Sequence, residues 1–174
     1  EALTRARAVS EDLGIPYYAV DFSADFKKHV IDYFCSEYLK GLTPNPCIIC
    51  NQKIKFGKLL EKALSLGASY VATGHYAKIG VDRLSGRFLL KEGKDKLREQ
   101  SYFLFNLSQE QLKHMIFPLG DLTKERVRII AKRMKIRTYN MVSSQDICFV
   151  QDRNYAEYIR EKAGVEIKSG NIVD

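Results

Sequence analysis

The sequence of 174 residues is long enough for one domain of ordinary size with a buried core. Hydrophobic residues make up 45% of the chain and charged residues 28%, a globular composition that excludes a wholly disordered protein. No run approaches the roughly 20 apolar residues of a membrane-spanning helix. Four cysteines are too few for a disulfide scaffold, which indicates a reducing, cytoplasmic compartment. The net charge of +7 favours a polyanionic partner such as nucleic acid.

The first half of the chain predicts two helix–glycine–strand units. Apolar residues at helical spacing predict a helix that ends at Gly14, and a strand follows at Tyr17–Val20. Further helices are predicted over about Ala24–Lys40 and about Lys55–Gly67, before a strand at Tyr70–Thr73. Two such units indicate an α/β fold with a mostly parallel sheet and covering helices. Because the chain opens in a helix that no strand precedes, we expect it to be part of a longer protein.

The second half of the chain predicts a hairpin and then shorter elements. Two strands flank a turn at Asp82–Gly86, and the charged stretch Lys91–Arg98 predicts a mobile surface loop. The remaining predicted elements are a helix that begins at Ser108 with a capping box, a helix that begins at Thr123, a strand at Cys148–Val150, a helix at Tyr155–Ala163 and strand-like residues over 165–174.

Cys47 and Cys50 form a C-x-x-C pair at the end of a proline-rich segment, Thr43–Cys47, which predicts non-helical backbone. Three interpretations remain open from the residues alone: half of a zinc site, a redox pair, or two small apolar fillers beneath a loop. Lys53 and Lys55 follow the pair, so we expect a lowered thiol pKa.

Three other stretches are candidates for chemistry. Cys148 follows a polar run, although a lone cysteine beside Phe and Val is also typical of a strand interior. Gly74 and His75 follow a predicted strand, where parallel sheets bind ligands, and glycine permits close approach to a nucleotide base. The run Arg98–Leu104 combines charge with aromatic residues, which suits phosphate contact and base stacking, or a solvated loop.

These features occur in five ordered blocks: T-P-N-P-C-x-x-C-N-x-x-I-K-F-G, G-A-x-Y-V-A-T-G-H-Y-A, Q-S-Y-F-L, F-P-L-G-D-L-T-K and S-Q-D-I-C-F-V. Together they resemble the tRNA-specific 2-thiouridylase family over nearly the whole chain. The resemblance implies a Rossmann-like adenine nucleotide alpha hydrolase domain of the PP-loop ATP pyrophosphatase class. It assigns residues 1–150 to the C-terminal portion of this domain and residues 151–174 to the start of a small central domain.

The resemblance implies ATP-dependent 2-thiolation of the wobble uridine of tRNA. In the family, adenylation activates the C2 oxygen of the uridine, and a persulfide sulfur then replaces it. Cys148 matches the cysteine that carries the persulfide, and Cys50 matches the second catalytic cysteine, which closes a Cys50–Cys148 disulfide. The implied partners are tRNA and a persulfide donor, either a relay protein or a cysteine desulfurase. ATP, with magnesium, is a substrate, and no bound metal is expected.

The resemblance also assigns binding residues. Gly74 matches a glycine that contacts ATP. The positions that match tRNA contacts are Asn45, Pro46, Cys47, His75, Arg98, Glu99 and Gln100. Arg98 and Glu99 stand where the family has Lys and Asp, and arginine does not replace lysine freely at a phosphate.

Two other functions fit the residues. Charge and basic loops also suit a non-catalytic RNA-binding module, and the C-x-x-C pair suits a thiol–disulfide oxidoreductase. The nucleotide loop S-G-G-x-D-S of the family is not in this sequence, so we expect this chain alone to bind ATP weakly and to be inactive.

Overall fold

The computed structural model describes residues 2–141, 146–150 and 154–164. Its helices are, in chain order, α1 (Ala2–Leu13), α2 (Ser23–Phe26, Lys27–Ile31 and Asp32–Leu39 in succession), α3 (Pro46–Ile49, Cys50–Lys58 and Leu59–Ser65), α4 (Gln109–Lys113), α5 (Lys124–Arg133) and α6 (Tyr155–Ala163). The middle segments of α2 and α3 are π-helical, and Ser101–Leu104 forms a 3-10 turn.

Four strands form two small sheets. Strands β1 (Val71–Ala72) and β4 (Met115–Ile116) pair in parallel, and the ladder continues where Thr73 N–H donates to the Ile116 carbonyl at 3.1 Å. Strands β2 (Ala77–Val81) and β3 (Phe88–Glu92) form an antiparallel hairpin. Strand β1 and the hairpin are as the sequence predicts, but the sequence did not predict β4, and the described strands are not mostly parallel.

The hairpin turn shows why its sequence predicts it well. The Asp82 N–H donates to the Arg87 carbonyl at 2.8 Å, and the Asp82 side chain accepts from the Leu84 N–H at 3.1 Å. Gly86 has a φ of +69°, which favours glycine because a side chain would be strained there. Local chemistry therefore determines this turn.

The strand predicted at Tyr17–Val20 is wrong. These residues are extended, but their backbone N–H groups make no ladder with any residue that the structure describes. The Tyr18 side chain is 75% exposed, which is unlike a buried strand. A strand needs a neighbouring strand, and an apolar run alone does not supply one.

Three predicted helix starts are confirmed, whereas α3 begins at Pro46 and not at about Lys55. Ser108 makes the predicted capping box with Gln111, and the Thr123 side chain caps α5. Helix α6 has the predicted bounds and is capped by Asn154. The strand-like residues 165–174 lie outside the described residues.

Two hydrophobic clusters hold the fold together. The first joins α3, the hairpin, the 3-10 turn, α4 and β4 through Phe56, Leu60, Ala77, Leu104, Leu107, Leu112, Met115 and Phe117. The second joins α2, α6 and residues 146–150 through Phe34, Cys35, Val150 and Ile159. Full burial of such side chains contributes roughly 1.5–3 kcal/mol each. The first cluster therefore anchors α3, whose start carries Cys47 and Cys50, and the second anchors the stretch around Cys148.

Candidate active site

A cleft of about 430 Å³ lies where the start of α3, the residues after β1 and the segment before the 3-10 turn meet. Its walls bring together five residues that the sequence singles out: Cys47, His75, Arg98, Glu99 and Gln100. The other residues that line the cleft are Asn51, Lys55, Leu97, Phe103 and Asp146. These residues come from four separate stretches of the chain, so only the tertiary fold brings them together.

Helix α3 places the C-x-x-C pair. It begins at Pro46, so the prediction of non-helical backbone is wrong for Pro46 and Cys47. Proline is favourable at the first helical position because its φ already suits the helix and no N–H is lost there. The Asn45 side chain accepts a hydrogen bond from the Cys47 N–H at 3.2 Å and caps the helix. Cys47 and Cys50 therefore lie one helical turn apart.

Cys50 is the first residue of the π-helical segment, and a glutamine from α4 holds that segment in place. The Gln111 Nε2 donates to the backbone carbonyls of Gln52, at 3.0 Å, and Phe56, at 2.8 Å. These two bonds tie the π-helical segment to α4. The glutamine that caps α4 thus also supports the backbone beside Cys50.

Sequence reasoning assigned no role to Asn51, which lies in the wall of the cleft. Its side chain is 2% exposed, and its Nδ2 donates to the Phe103 carbonyl at 3.0 Å. Its Oδ1 is buried and has no hydrogen-bond partner within the described part of the chain. A buried acceptor of this kind costs about 1–3 kcal/mol. Ile48 and Ile54 flank it at helical spacing, a pattern that indicates a buried polar position.

The thiols of the pair are less acidic than predicted. Burial raises the pKa of Cys50, and the Lys55 ammonium opposes that increase. Burial also raises the pKa of Cys47, and Lys55 opposes it there too. The prediction that Lys53 and Lys55 lower the thiol pKa is wrong because loss of water around each sulfur outweighs the nearby charge. Both sulfurs are therefore thiols at neutral pH.

Cys148 lies in a turn, so the strand predicted at Cys148–Val150 is wrong. The Val150 N–H donates to the Ile147 carbonyl at 3.1 Å and closes this turn. Ile147, Phe149 and Val150 all pack into the second cluster, whereas a strand would alternate its faces. The Phe149 ring lies 5.3–5.6 Å, between centroids, from the rings of Phe26, Phe34 and Tyr158. Cys148 itself is exposed.

The three thiols of Cys47, Cys50 and Cys148 lie within electrostatic range of one another. The Cys148 thiol contributes to the raised pKa of both Cys47 and Cys50. All four cysteines are free, and Cys35 is buried in the second cluster. Within the described ranges, no group of three or more His, Cys, Asp or Glu side chains could hold a metal ion.

His75 is a neutral imidazole in the wall of the cleft. Its Nδ1 lies 2.7 Å from the Thr73 Oγ1, and its ring packs against the rings of Phe56 and Phe117. Burial, with a smaller effect from Lys55, lowers the pKa of His75 to about 4. At neutral pH it can hydrogen-bond a nucleotide but cannot form an ion pair with a phosphate.

Gly74 is exposed just beyond the parallel ladder. A Cβ atom at this position would meet only the Leu119 Cδ1, at 3.7 Å, which is ordinary van der Waals contact. The described chain therefore does not itself require glycine here, and the predicted contact with ATP remains a prediction.

The strip Arg98–Gln100 is held in place by paired hydrogen bonds. The Tyr76 N–H donates to the Gln100 Oε1 at 3.0 Å, and the Gln100 N–H donates to the Tyr76 carbonyl at 3.1 Å. The Glu99 Oε1 accepts from the Ser101 N–H at 2.6 Å. The Gln100 and Glu99 side chains thus support the local backbone as well as lining the cleft.

The stretch predicted as a mobile loop is anchored at several points. It begins inside β3, and the Lys94 N–H then donates to the Gly120 carbonyl at 2.8 Å. The Asp95 Oδ2 accepts from the Lys124 N–H at 2.9 Å at the start of α5. Gly93 fits closely, since a Cβ atom would lie 2.5 Å from the Tyr76 carbonyl oxygen. The cleft wall is therefore built on backbone contacts.

A family model described as the tRNA methyl transferase HUP domain matches residues 1–152. The chain belongs to this family. The match confirms the predicted Rossmann-like α/β fold class. None of the helices that the structure describes is long and apolar enough to cross a membrane.

Three relatives share the name tRNA-specific 2-thiouridylase MnmA. The chain is 50% identical to that of Clostridioides difficile (strain 630) over 173 residues, which is 99% of this chain and 48% of the relative. It is 50% identical to that of Acetivibrio thermocellus, and the match covers 99% of this chain and 48% of the relative. It is 49% identical to that of Carboxydothermus hydrogenoformans, and the match covers 99% of this chain and 47% of the relative. The resemblance drawn from the five motifs is confirmed. The chain spans about half the length of these relatives.

Proposed function

We propose that this chain is part of the catalytic domain of an enzyme that 2-thiolates the wobble uridine of tRNA. The single observation that carries the proposal is the convergence on one cleft of Cys47 from the C-x-x-C pair, Asp146, two residues before Cys148, and the strip Arg98–Gln100. Sulfur chemistry on RNA needs thiols next to groups that hold a nucleotide. The names of the relatives point to the same reaction.

The proposed chemistry balances with two thiols. ATP adenylates the C2 oxygen of the uridine and releases pyrophosphate, so that AMP becomes the leaving group of the next step. The outer sulfur of a Cys148 persulfide attacks C2 and AMP departs. The Cys50 thiolate then attacks the Cys148 Sγ, the bond to the transferred sulfur breaks, and 2-thiouridine leaves behind a Cys50–Cys148 disulfide. Burial raises the pKa of Cys50, so this step requires its thiol to give up a proton.

Positive charge supports tRNA as the partner. Residues 124–137 carry seven Lys or Arg side chains and one Glu, a net charge of +6. No residue of α5 is fully buried, and Arg128 and Lys132 line a second cavity beside Tyr139. Phosphate contacts supply most of the affinity of nucleic-acid-binding proteins and come from such side chains.

Individual contacts around the cleft are proposals. Asn45 and Pro46 build the start of α3, and Pro46 is buried, so they would present the neighbouring Cys47 to the target base. Gly74 would lie against ATP, with magnesium supplied in solution. A cytoplasmic persulfide protein, a relay protein or a cysteine desulfurase, would load the exposed Cys148.

The raised pKa values disfavour an oxidoreductase that reacts from a resting Cys47 or Cys50 thiolate. Reactive C-x-x-C pairs have a thiol whose pKa is lowered, whereas burial raises the pKa of both Cys47 and Cys50 here. The RNA-binding alternative predicts the same basic surface and is separated by experiment.

The test uses the full-length protein that contains this chain. We expect Cys148→Ser and Cys50→Ser to abolish 2-thiouridine, measured by mass spectrometry of digested tRNA, and to leave tRNA affinity within about twofold. Cys35→Ala is the matched control, because Cys35 is buried in the second cluster, away from the lining of the cleft. Full thiolation by Cys148→Ser would contradict the proposed sulfur transfer, and tRNA binding without any thiolation by the wild type would favour the RNA-binding module.

A further inference from the structure

The proposed sulfur transfer uses the thiols of Cys50 and Cys148 and gives the Cys47 thiol no chemical step. It lines the cleft together with Asp146, which lies two residues before Cys148. It also lies three residues before Cys50, in the same continuous helix. Cys47 therefore has access to both ends of the proposed Cys50–Cys148 disulfide.

Helix geometry makes Cys47 and Cys50 suitable disulfide partners. A rise of 1.5 Å and 3.6 residues per turn put α-carbons three residues apart at about 5 Å. Protein disulfides join α-carbons that are about 4.4–6.8 Å apart. The pair lies at the start of α3, where the α-helical first turn gives way to the π-helical segment.

We infer that Cys47 is an internal resolving thiol, which attacks the Cys50 Sγ of the Cys50–Cys148 disulfide. The inference rests on the proposed function, which generates that disulfide. The Cys47–Cys50 bond forms, the Cys50–Cys148 bond breaks, and Cys148 leaves with the proton that Cys47 gives up. The exchange involves no net oxidation or reduction. A dithiol reductant of the cell then reduces Cys47–Cys50 in a separate step.

This exchange returns Cys148 to the thiol form, ready for a new persulfide, before any external reductant acts. The exposed turn that holds Cys148 suits a donor protein, whereas Cys47 and Cys50 are half-buried. Cys35 does not compete, because it is 6% exposed within the second cluster. The disulfide thus moves from Cys148, the residue that the donor loads, to the Cys47–Cys50 pair in α3.

The test follows the disulfide after one turnover. Full-length protein with persulfide on Cys148 is mixed with ATP and tRNA without reductant, quenched in acid, alkylated and mapped by peptide mass spectrometry. We expect the wild type to hold mainly Cys47–Cys50, with Cys148 alkylated. Cys47→Ser is expected to hold Cys50–Cys148 and to lose reloading of Cys148 in the absence of reductant.

Two outcomes would overturn the inference. One is a wild type that retains Cys50–Cys148 with Cys47 alkylated, and the other is a Cys47–Cys148 disulfide. Failure of the proposed function looks different, because no tRNA-dependent disulfide would then form at Cys148 in either protein. Circular dichroism of Cys47→Ser checks that the helix is intact.

Discussion

Two glycines beside the cleft make a matched pair that separates packing from ligand contact. In Gly93→Ala, the new Cβ would lie 2.5 Å from the Tyr76 carbonyl oxygen, which also accepts the Gln100 N–H. In Gly74→Ala, the new Cβ would meet only a side-chain carbon of Leu119 at 3.7 Å. Neither glycine has a positive φ, so the backbone tolerates alanine at both positions.

The expected free energies of unfolding follow from these contacts. Overpacking against backbone costs about 1–3 kcal/mol, and the lower chain entropy of alanine returns about 0.4–1 kcal/mol. We expect Gly93→Ala to destabilise by about 1–2 kcal/mol, a fall in Tm of roughly 2–8 °C. Gly74→Ala is expected to be neutral or slightly stabilising.

The assay is thermal unfolding of the full-length variants, together with tRNA binding and ATP-dependent adenylation of the tRNA. Gly93→Ala is expected to weaken tRNA binding, because Gln100 loses its anchor. Gly74→Ala is expected to keep its Tm and to lose ATP affinity. Equal stability of the two variants would refute the packing analysis, and unchanged ATP affinity in Gly74→Ala would refute the assigned contact.

Three further predictions concern charge and packing. The pKa of His75 is about 4 in the folded protein and about 6.5 in the unfolded chain. The free energy of unfolding should therefore fall, by up to about 3 kcal/mol, as the pH is lowered from about 6.5 to 4. Urea titrations of His75→Gln should show a smaller loss over the same pH range. Arg128→Glu combined with Lys132→Glu should weaken tRNA binding at least tenfold and reduce its salt slope by about 2, whereas Arg83→Glu in the hairpin turn should do neither. Phe149→Ala should lower the free energy of unfolding by about 2–4 kcal/mol and slow thiolation, because the second cluster loses the packing of this ring. Phe149→Leu should recover most of the stability and of the thiolation rate. A fully active Phe149→Ala would contradict the positioning of Cys148 by the second cluster.

Local signals in the sequence predicted much of the fold. Helix α6 combines helical spacing with a capping Asn154, and the hairpin has its turn chemistry between Asp82 and Gly86. Those features depend on neighbours within a few residues. The strand predicted at Tyr17–Val20 depended on a distant partner, and apolar composition does not reveal whether one is present.

The candidate site was likewise predicted from the sequence only in part. Motif order identified Cys47, His75 and the strip Arg98–Gln100, and the structure brings them to one cleft. The thiol pKa was mispredicted because the sequence shows nearby lysines but not the burial that outweighs them. Asn51 was missed because its role depends on the Phe103 carbonyl, which is remote in sequence.

The central claim is that Cys148 carries the sulfur and Cys50 releases it. The most direct measurement loads the full-length protein with a ³⁴S persulfide, adds ATP and tRNA for one turnover, and follows the label by mass spectrometry. We predict that the label leaves Cys148 and appears in the wobble 2-thiouridine of the tRNA. In Cys50→Ser we predict that no tRNA carrying 2-thiouridine is released from the protein. Label transfer to tRNA by Cys148→Ser, or a labelled persulfide found on Cys50 instead of Cys148, would contradict the claim.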